Sequence, residues 1–217
     1  MGLFELSLYG IGIILGAGIY SLIGVGAGIA GNAIWISFIF AAIIATFTGL
    51  SYAELSSIYP KEAAEYNYTK NAFKKKNLSF IVGWLMVLAS IVAAVTVAFG
   101  FSGYFTYLFG GKVTLTAVFL ILFLSLINYI GIKESSAFNT LSTIVEALGL
   151  LIVIAVGLYY FLNNGISINI FETPPGSGFG SILSGVALIF FAYLGFEDIV
   201  NVSEETKNAR KIVPKAL

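Results

Sequence analysis

Residues 10–20 read GIGIILGAGIY, four glycines in eleven residues. They lie inside an apolar block running from about Leu6 to Ala30. A block of that length crosses a hydrocarbon core of about 30 Å as a single helix. Glycine weakens a helix most in its interior, and the run Leu15-Gly16-Ala17-Gly18 falls near the middle of the block. A break there frees backbone N–H and C=O groups. At membrane depth such groups are tolerated only where they line a cavity or bind something. Gly24 and Gly28 have small-xxx-small spacing and read instead as a close helix-packing pair.

The rest of the chain repeats the pattern of long apolar blocks. Of 217 residues, 59% are hydrophobic and 10% charged, where a soluble domain carries about a quarter charged residues. Six spans are expected, at about 6–30, 33–55, 78–108, 114–130, 137–162 and 181–202. Several are rich in Val, Ile and Phe, but they are too long for buried strands. Together they make one transmembrane domain over 1–217. Residues 56–77 read as one or two short polar helices. Residues 163–180, with Pro174 and Pro175, read as a loop.

The basic residues set an orientation. With the N-terminus on the cytoplasmic side, Lys61, Lys70, Lys74, Lys75, Lys76, Lys133, Lys207, Arg210, Lys211 and Lys215 lie inside and Lys112 outside. That asymmetry favours a cytoplasmic N-terminus in a multi-pass protein of the cell membrane. The run Lys74–Lys76 reads as part of this signal and as a solvated face. The basic tail ends in IVPKAL, with Pro214 where a helix commonly starts. A seventh helix is expected there, in a longer protein or a truncated reading frame.

Absences narrow the chemistry. There is no Cys and no His, which removes disulfides, thiolate nucleophiles, most zinc sites and imidazole relays. No Gly-rich phosphate loop with a following Lys appears. No nucleophile–base pair suggests an enzyme, and no cofactor, metal site or nucleic-acid partner is expected.

The sixth span carries Gly195 followed at once by Glu197 and Asp198. Acids inside an apolar span are costly. Paired with the first span, this forms a pattern: interrupted helices at corresponding positions of two repeats point to a transporter binding site.

Three stretches then resemble a known family. GIGIILGAGIY (10–20) resembles the first-helix signature of the amino acid–polyamine–organocation superfamily, and of its amino acid permeases most closely. SYAELSSIYPKEAAEYNYTKNAF (51–73) resembles its second-helix end and cytoplasmic loop. FFAYLGFEDIVNVSEETKNARKIVPKAL (190–217) resembles its sixth helix and inner tail. Two departures stand out. Ala63 and Ala64 replace two glycines common in the family, and Asn208-Ala209 stands where Asn-Pro is usual.

The resemblance implies an all-α integral membrane protein of about six transmembrane helices: the first five-helix inverted repeat plus helix 6 of a LeuT-type fold, with helices 1 and 6 discontinuous. It implies secondary active transport of amino acids by alternating access, with the substrate between the two breaks. Backbone N–H groups of Gly16, Ala17 and Gly18, at a half-helix start, would take the substrate carboxylate. Carbonyls around Ile13, Ile14, Phe191, Ala192 and Leu194 would take the ammonium. Leu15 and Gly195 complete the two breaks. Phe191, Tyr193 and Phe196 would either cover the site or pack the core. Side-chain selectivity would draw on the third span, at Ser90 and Thr96.

Glu146 sits inside the fifth span, about 14 Å along the helix from Ala137 at the usual rise. An intramembrane acid is functional by default, and Glu146 is expected to carry a coupling proton. The alternative is a neutral Glu bonded to Ser142, Thr143 or a backbone carbonyl. Expected partners are thus an amino acid, a proton (or sodium), membrane lipid and the missing C-terminal helices. Two further readings stay open: a sodium-coupled or exchanging permease, and a half-transporter with no activity of its own.

Overall fold

The computed structural model describes residues 1–165 and 168–217, with the side chains of Ala17, Ile132, Lys133, Glu134 and Ser136 outside the description. Among the described residues there are nine α-helices and no strand. They are α1 (Leu3–Ala30), α2 (Ile34–Ile58), α3 (Ala64–Phe73), α4 (Lys76–Phe109), α5 (Val113–Ile130), α6 (Ile132–Asn164), α7 (Gly178–Phe190), α8 (Phe196–Asn201) and α9 (Ala209–Ala216). Among the described residues, five helical stretches are long and apolar enough to cross a membrane. The first, Leu3–Ile58, is 56 residues and breaks at Gly31 (φ +66), where α1 passes through a 3-10 turn into α2.

Two helices carry interruptions. Within α1, Gly16 has φ −33 and ψ −149, outside the helical region. After α7 the chain forms a 3-10 turn at Phe191–Tyr193. Leu194 is then extended and Gly195 adopts φ +120 before α8 starts. Only a residue without Cβ adopts that last angle cheaply.

α1 is the hub of the molecule, packing on α6, α7, α8, α9 and α4. Small residues let the backbones close in. A Cβ on Gly12 would lie 1.9 Å from Thr143 Oγ1, and one on Gly185 would lie 2.5 Å from Ser37 Oγ. The Ser37 hydroxyl donates to the Ile182 carbonyl at 2.8 Å, joining α2 to α7. The expected Gly24–Gly28 pair meets no neighbour among the described residues: a Cβ on either finds nothing within 4 Å. Gly26 takes that role, against Ile34 and Ile189. Two residues along a helix is about 200° of rotation, so Gly24 and Gly28 turn outward when Gly26 turns in.

One core gathers beneath the breaks. Leu6, Ala45, Tyr68, Phe196, Val200 and Val213 are buried together there, drawing on α1, α2, α3, α8 and α9. α4, α5 and α6 instead present apolar surface outward. Phe80, Trp84, Phe119, Ile152 and Tyr159 are each more than half exposed. A water-soluble protein does not carry so large an apolar face; in lipid it is the ordinary solvent contact.

The polar connections are built. The Trp35 indole donates to the Ile170 carbonyl at 2.9 Å, and the Ala33 N–H to the Glu172 carbonyl at 3.2 Å. The segment before α7 is thereby strapped over the α1–α2 turn. At the opposite end the Met1 ammonium donates to the Glu205 carbonyl, and the Lys207 N–H to the Met1 carbonyl at 3.0 Å. Pro214 does not open a helix as expected. α9 begins earlier, at Ala209 after a left-handed Asn208 (φ +50), and Pro214 lies inside it. Burial of Val213 in the inner core sets the position of α9, and the positive φ of Asn208 sets its start.

Candidate functional site

The two interruptions meet. A Cβ on Gly18 would lie 2.7 Å from Ala192 Cα, and one on Gly195 would lie 2.4 Å from Ile13 Cγ2. Each break therefore presses a glycine against the other break, and the irregular backbones are neighbours in space. Beside them opens a cleft of about 1340 Å³. Its far wall is α4 from Leu85 to Val97, and its near wall is the pair of breaks.

Ile13, Ile14, Gly18, Phe191, Ala192, Leu194 and Gly195 line this cleft. Leu15, Gly16, Tyr193 and Phe196 are not in its wall, and the side chain of Ala17 lies outside the description. The aromatics divide by surroundings. The Tyr193 hydroxyl donates to the Phe38 carbonyl at 3.2 Å, which turns the ring toward α2. Phe196 is buried, edge-on to Tyr52 at 5.5 Å between centroids. Both pack the core, and of the three only Phe191 faces the cleft. The Phe191 carbonyl, expected to be free, accepts the Leu194 N–H at 3.2 Å. Ser90 lines the cleft. Thr96 does not; its hydroxyl donates to the Val92 carbonyl on its own helix.

Several lining groups lie outside the two breaks: Glu62, Glu65 and Tyr66 in the stretch expected to form short polar helices, and Glu197, Asp198 and Asn201 at the inner end of the sixth span. The Glu197 carboxylate accepts the Gly195 N–H at 2.8 Å, which holds the start of α8. Asn201 Oδ1 accepts the Ala64 N–H at 3.2 Å, and Glu65 Oε1 accepts the Tyr52 hydroxyl at 2.8 Å. α3 is thus tied to α8 and to α2 beneath the breaks. Only the adjacent acids Glu197 and Asp198 stood out in the sequence, because acids are rare in apolar spans.

Glu146 lies apart from the cleft. It is the fifteenth of the 33 residues of α6, closer to that helix's middle than a start at Ala137 implied. α6 turns Asn139 and Thr143 toward α1: Asn139 Nδ2 donates to the Tyr9 carbonyl at 3.3 Å, and Thr143 abuts Gly12. Glu146 follows one turn later on the same stripe. Its carbonyl accepts the Tyr20 hydroxyl at 2.9 Å. The Thr143 hydroxyl is engaged with the Asn139 carbonyl, and the Glu146 carboxyl has no hydrogen-bond partner among the described residues.

The family model for amino acid permeases matches residues 1–217. The chain belongs to the amino acid permease family. A branched-chain amino acid permease of Bacillus subtilis is 35% identical over 238 residues, covering all of this chain and 50% of that protein. A methylthioribose transporter of the same organism is 34% identical, covering 97% of the chain and 49% of that protein. A mitochondrial cationic amino acid transporter of Arabidopsis thaliana is 30% identical, covering 94% and 37%. The chain thus spans about half the length, or less, of these curated relatives. All three are transporters by name, and none is an enzyme. Family membership and the exposed apolar helices make this chain a multi-pass membrane protein.

Proposed function

We propose that this chain forms the substrate-binding part of a LeuT-type secondary transporter that moves amino acids across the cell membrane by alternating access. The supporting observation is the contact between the two breaks, Gly18 against Ala192 and Gly195 against Ile13, at the wall of a large cleft. Irregular backbone at membrane depth is sustained only where it lines a cavity or binds something, and paired broken helices are the usual form of a transporter site. α1, α2, α4, α5 and α6 would make the first five-helix repeat, and α7 with α8 the first helix of the second. The N-terminus would be cytoplasmic, from the distribution of Lys and Arg.

In this reading the α-carboxylate of the substrate meets backbone N–H groups near Gly16–Gly18, and its ammonium meets carbonyls of Ile13, Ile14, Ala192 and Leu194. The side chain extends toward α4 near Ser90. The relatives' names span branched-chain and cationic amino acids, so this proposal extends to amino acids as a class. Uptake would be driven by a proton, with Glu146 as its carrier.

The test is uptake of radiolabelled amino acids into proteoliposomes containing the purified protein, with an inward pH gradient and choline in place of sodium. Saturable, gradient-dependent uptake is expected. Loss of uptake in choline alone would shift the coupling ion to sodium. No binding and no uptake of any amino acid would sink the proposal.

A further inference from the structure

The connection between α3 and α4 carries a basic cluster that the proposed transport does not use. Lys74 adopts the left-handed region (φ +55), Lys75 is extended and Lys76 is the first residue of α4. All three are exposed, and none makes an ion pair with a described residue. The first turn of α4 contains no acid. Glu65, on the neighbouring helix, is engaged by Tyr52, and Lys70 is held over the Tyr66 ring at 5.7 Å. Among the described residues, then, no acid pairs with the charge of Lys74–Lys76.

What lies next to this charge is apolar and outward-facing. Phe73 is 61% exposed, Phe80 67% and Trp84 58%. Lys76, Phe80 and Trp84 are spaced i, i+4, i+8 and so form one stripe on α4. That stripe runs from a cationic foot up an aromatic wall, along a helix whose surface this chain scarcely covers. Its chemistry matches one molecule from end to end: an anionic headgroup at the lysines, and an acyl chain along the rings.

We propose that Lys74, Lys75 and Lys76, with Phe80 and Trp84, form a docking surface for an anionic phospholipid. A lysine at a negatively charged membrane surface contributes roughly fivefold in affinity, so three contribute on the order of a hundredfold. A purely topological role for these lysines predicts no lipid preference once the protein is folded in its membrane.

The experiment uses the full chain, purified and delipidated in detergent, with phosphatidylglycerol or phosphatidylcholine added back and binding read by native mass spectrometry. The wild-type chain is expected to retain phosphatidylglycerol in preference to phosphatidylcholine. K74Q/K75Q/K76Q is expected to lose most of that preference, while K74R/K75R/K76R, which keeps the charge, retains it. F80A/W84A leaves the lysines in place and is expected to weaken both lipids alike. The proposal is overturned if the wild-type chain shows no preference, or if the arginine variant, folded, loses the preference as the glutamine variant does. It is also overturned if inorganic phosphate at equal concentration displaces the lipid, which would make the cluster a site for soluble anions.

Discussion

Gly195 lies against Ile13 with no room for a side chain: a Cβ there would come within 2.4 Å of Ile13 Cγ2 and 3.4 Å of the Ile13 carbonyl carbon. Its φ of +120 adds conformational strain for any other residue. Gly195→Ala is therefore expected to push the two breaks apart and abolish amino acid binding. Gly18→Ala, which meets the Ala192 backbone at 2.7 Å, should act the same way. Gly28→Ala is the control, since its Cβ meets nothing within 4 Å; it should bind normally and gain up to about 1 kcal/mol of helix stability. Binding of labelled amino acid to the three purified variants checks this, and normal binding by Gly195→Ala would count against a site at the breaks.

Gly12 and Thr143 form a second tight contact, across the α1–α6 interface. A Cβ on Gly12 would sit 1.9 Å from Thr143 Oγ1 and 3.1 Å from its Cβ. Gly12→Ala should destabilise the protein by about 1–3 kcal/mol, the usual cost of overpacking. Thr143→Ala in the same chain removes the nearer atom and should restore part of the loss. A thermal-unfolding double-mutant cycle measures the coupling; strictly additive effects would mean that the helices do not approach this closely.

For Glu146, the expected outcome of Glu146→Gln in the transporter is loss of pH-driven uptake with substrate binding retained. Its position outside the cleft wall supports the separation of the two effects. Undiminished uptake at every pH would remove Glu146 from the coupling mechanism.

Tyr52 and Tyr68 stack edge-on at 6.1 Å yet differ in their hydroxyls. That of Tyr52 donates to Glu65, while that of Tyr68 is buried without a partner among the described residues. Tyr68→Phe should therefore cost nothing and gain up to about 1 kcal/mol, whereas Tyr52→Phe should lose about 1–2 kcal/mol. Burial, with the Glu65 carboxylate nearby, pushes the Tyr68 phenol up to about 12 from its usual 10. A raised folded-state pKa means its contribution is fully present below pH 10 and is lost as pH climbs from 10 to 12. Alkaline unfolding followed by tyrosinate absorbance should show this loss in the wild-type chain and a smaller one in Tyr68→Phe.

Ala63 takes φ +49, in the left-handed region, immediately before α3. An L-residue pays roughly 1–2 kcal/mol for that conformation. Ala63→Gly should thus raise the unfolding midpoint, since glycine relieves this strain. A lowered midpoint would show that the loop adopts another conformation.

The sequence by itself determined the helices. Apolar runs of about 20 residues have one economical structure in lipid, and Gly16 and Gly195 interrupt two of them, at interior positions where glycine supports a helix poorly. The motifs at 10–20, 51–73 and 190–217 were enough to indicate the permease family. What the sequence left undecided was which atoms meet. Gly24 and Gly28 had the spacing of a packing pair, but the rotation of α1 turns Gly26 inward instead. Tyr193 and Phe196 stood beside the break like Phe191, yet hydrogen bonding to Phe38 and burial against Tyr52 place them in the core. Glu62, Glu65 and Asn201 reach the cleft only because α3 folds back beneath the breaks and is tied to α2 and α8. Local residue choice sets whether a segment is helical. Facing, and hence the lining of the cleft, is set by contacts between residues more than a hundred positions apart, such as Gly18 with Ala192 and Gly195 with Ile13.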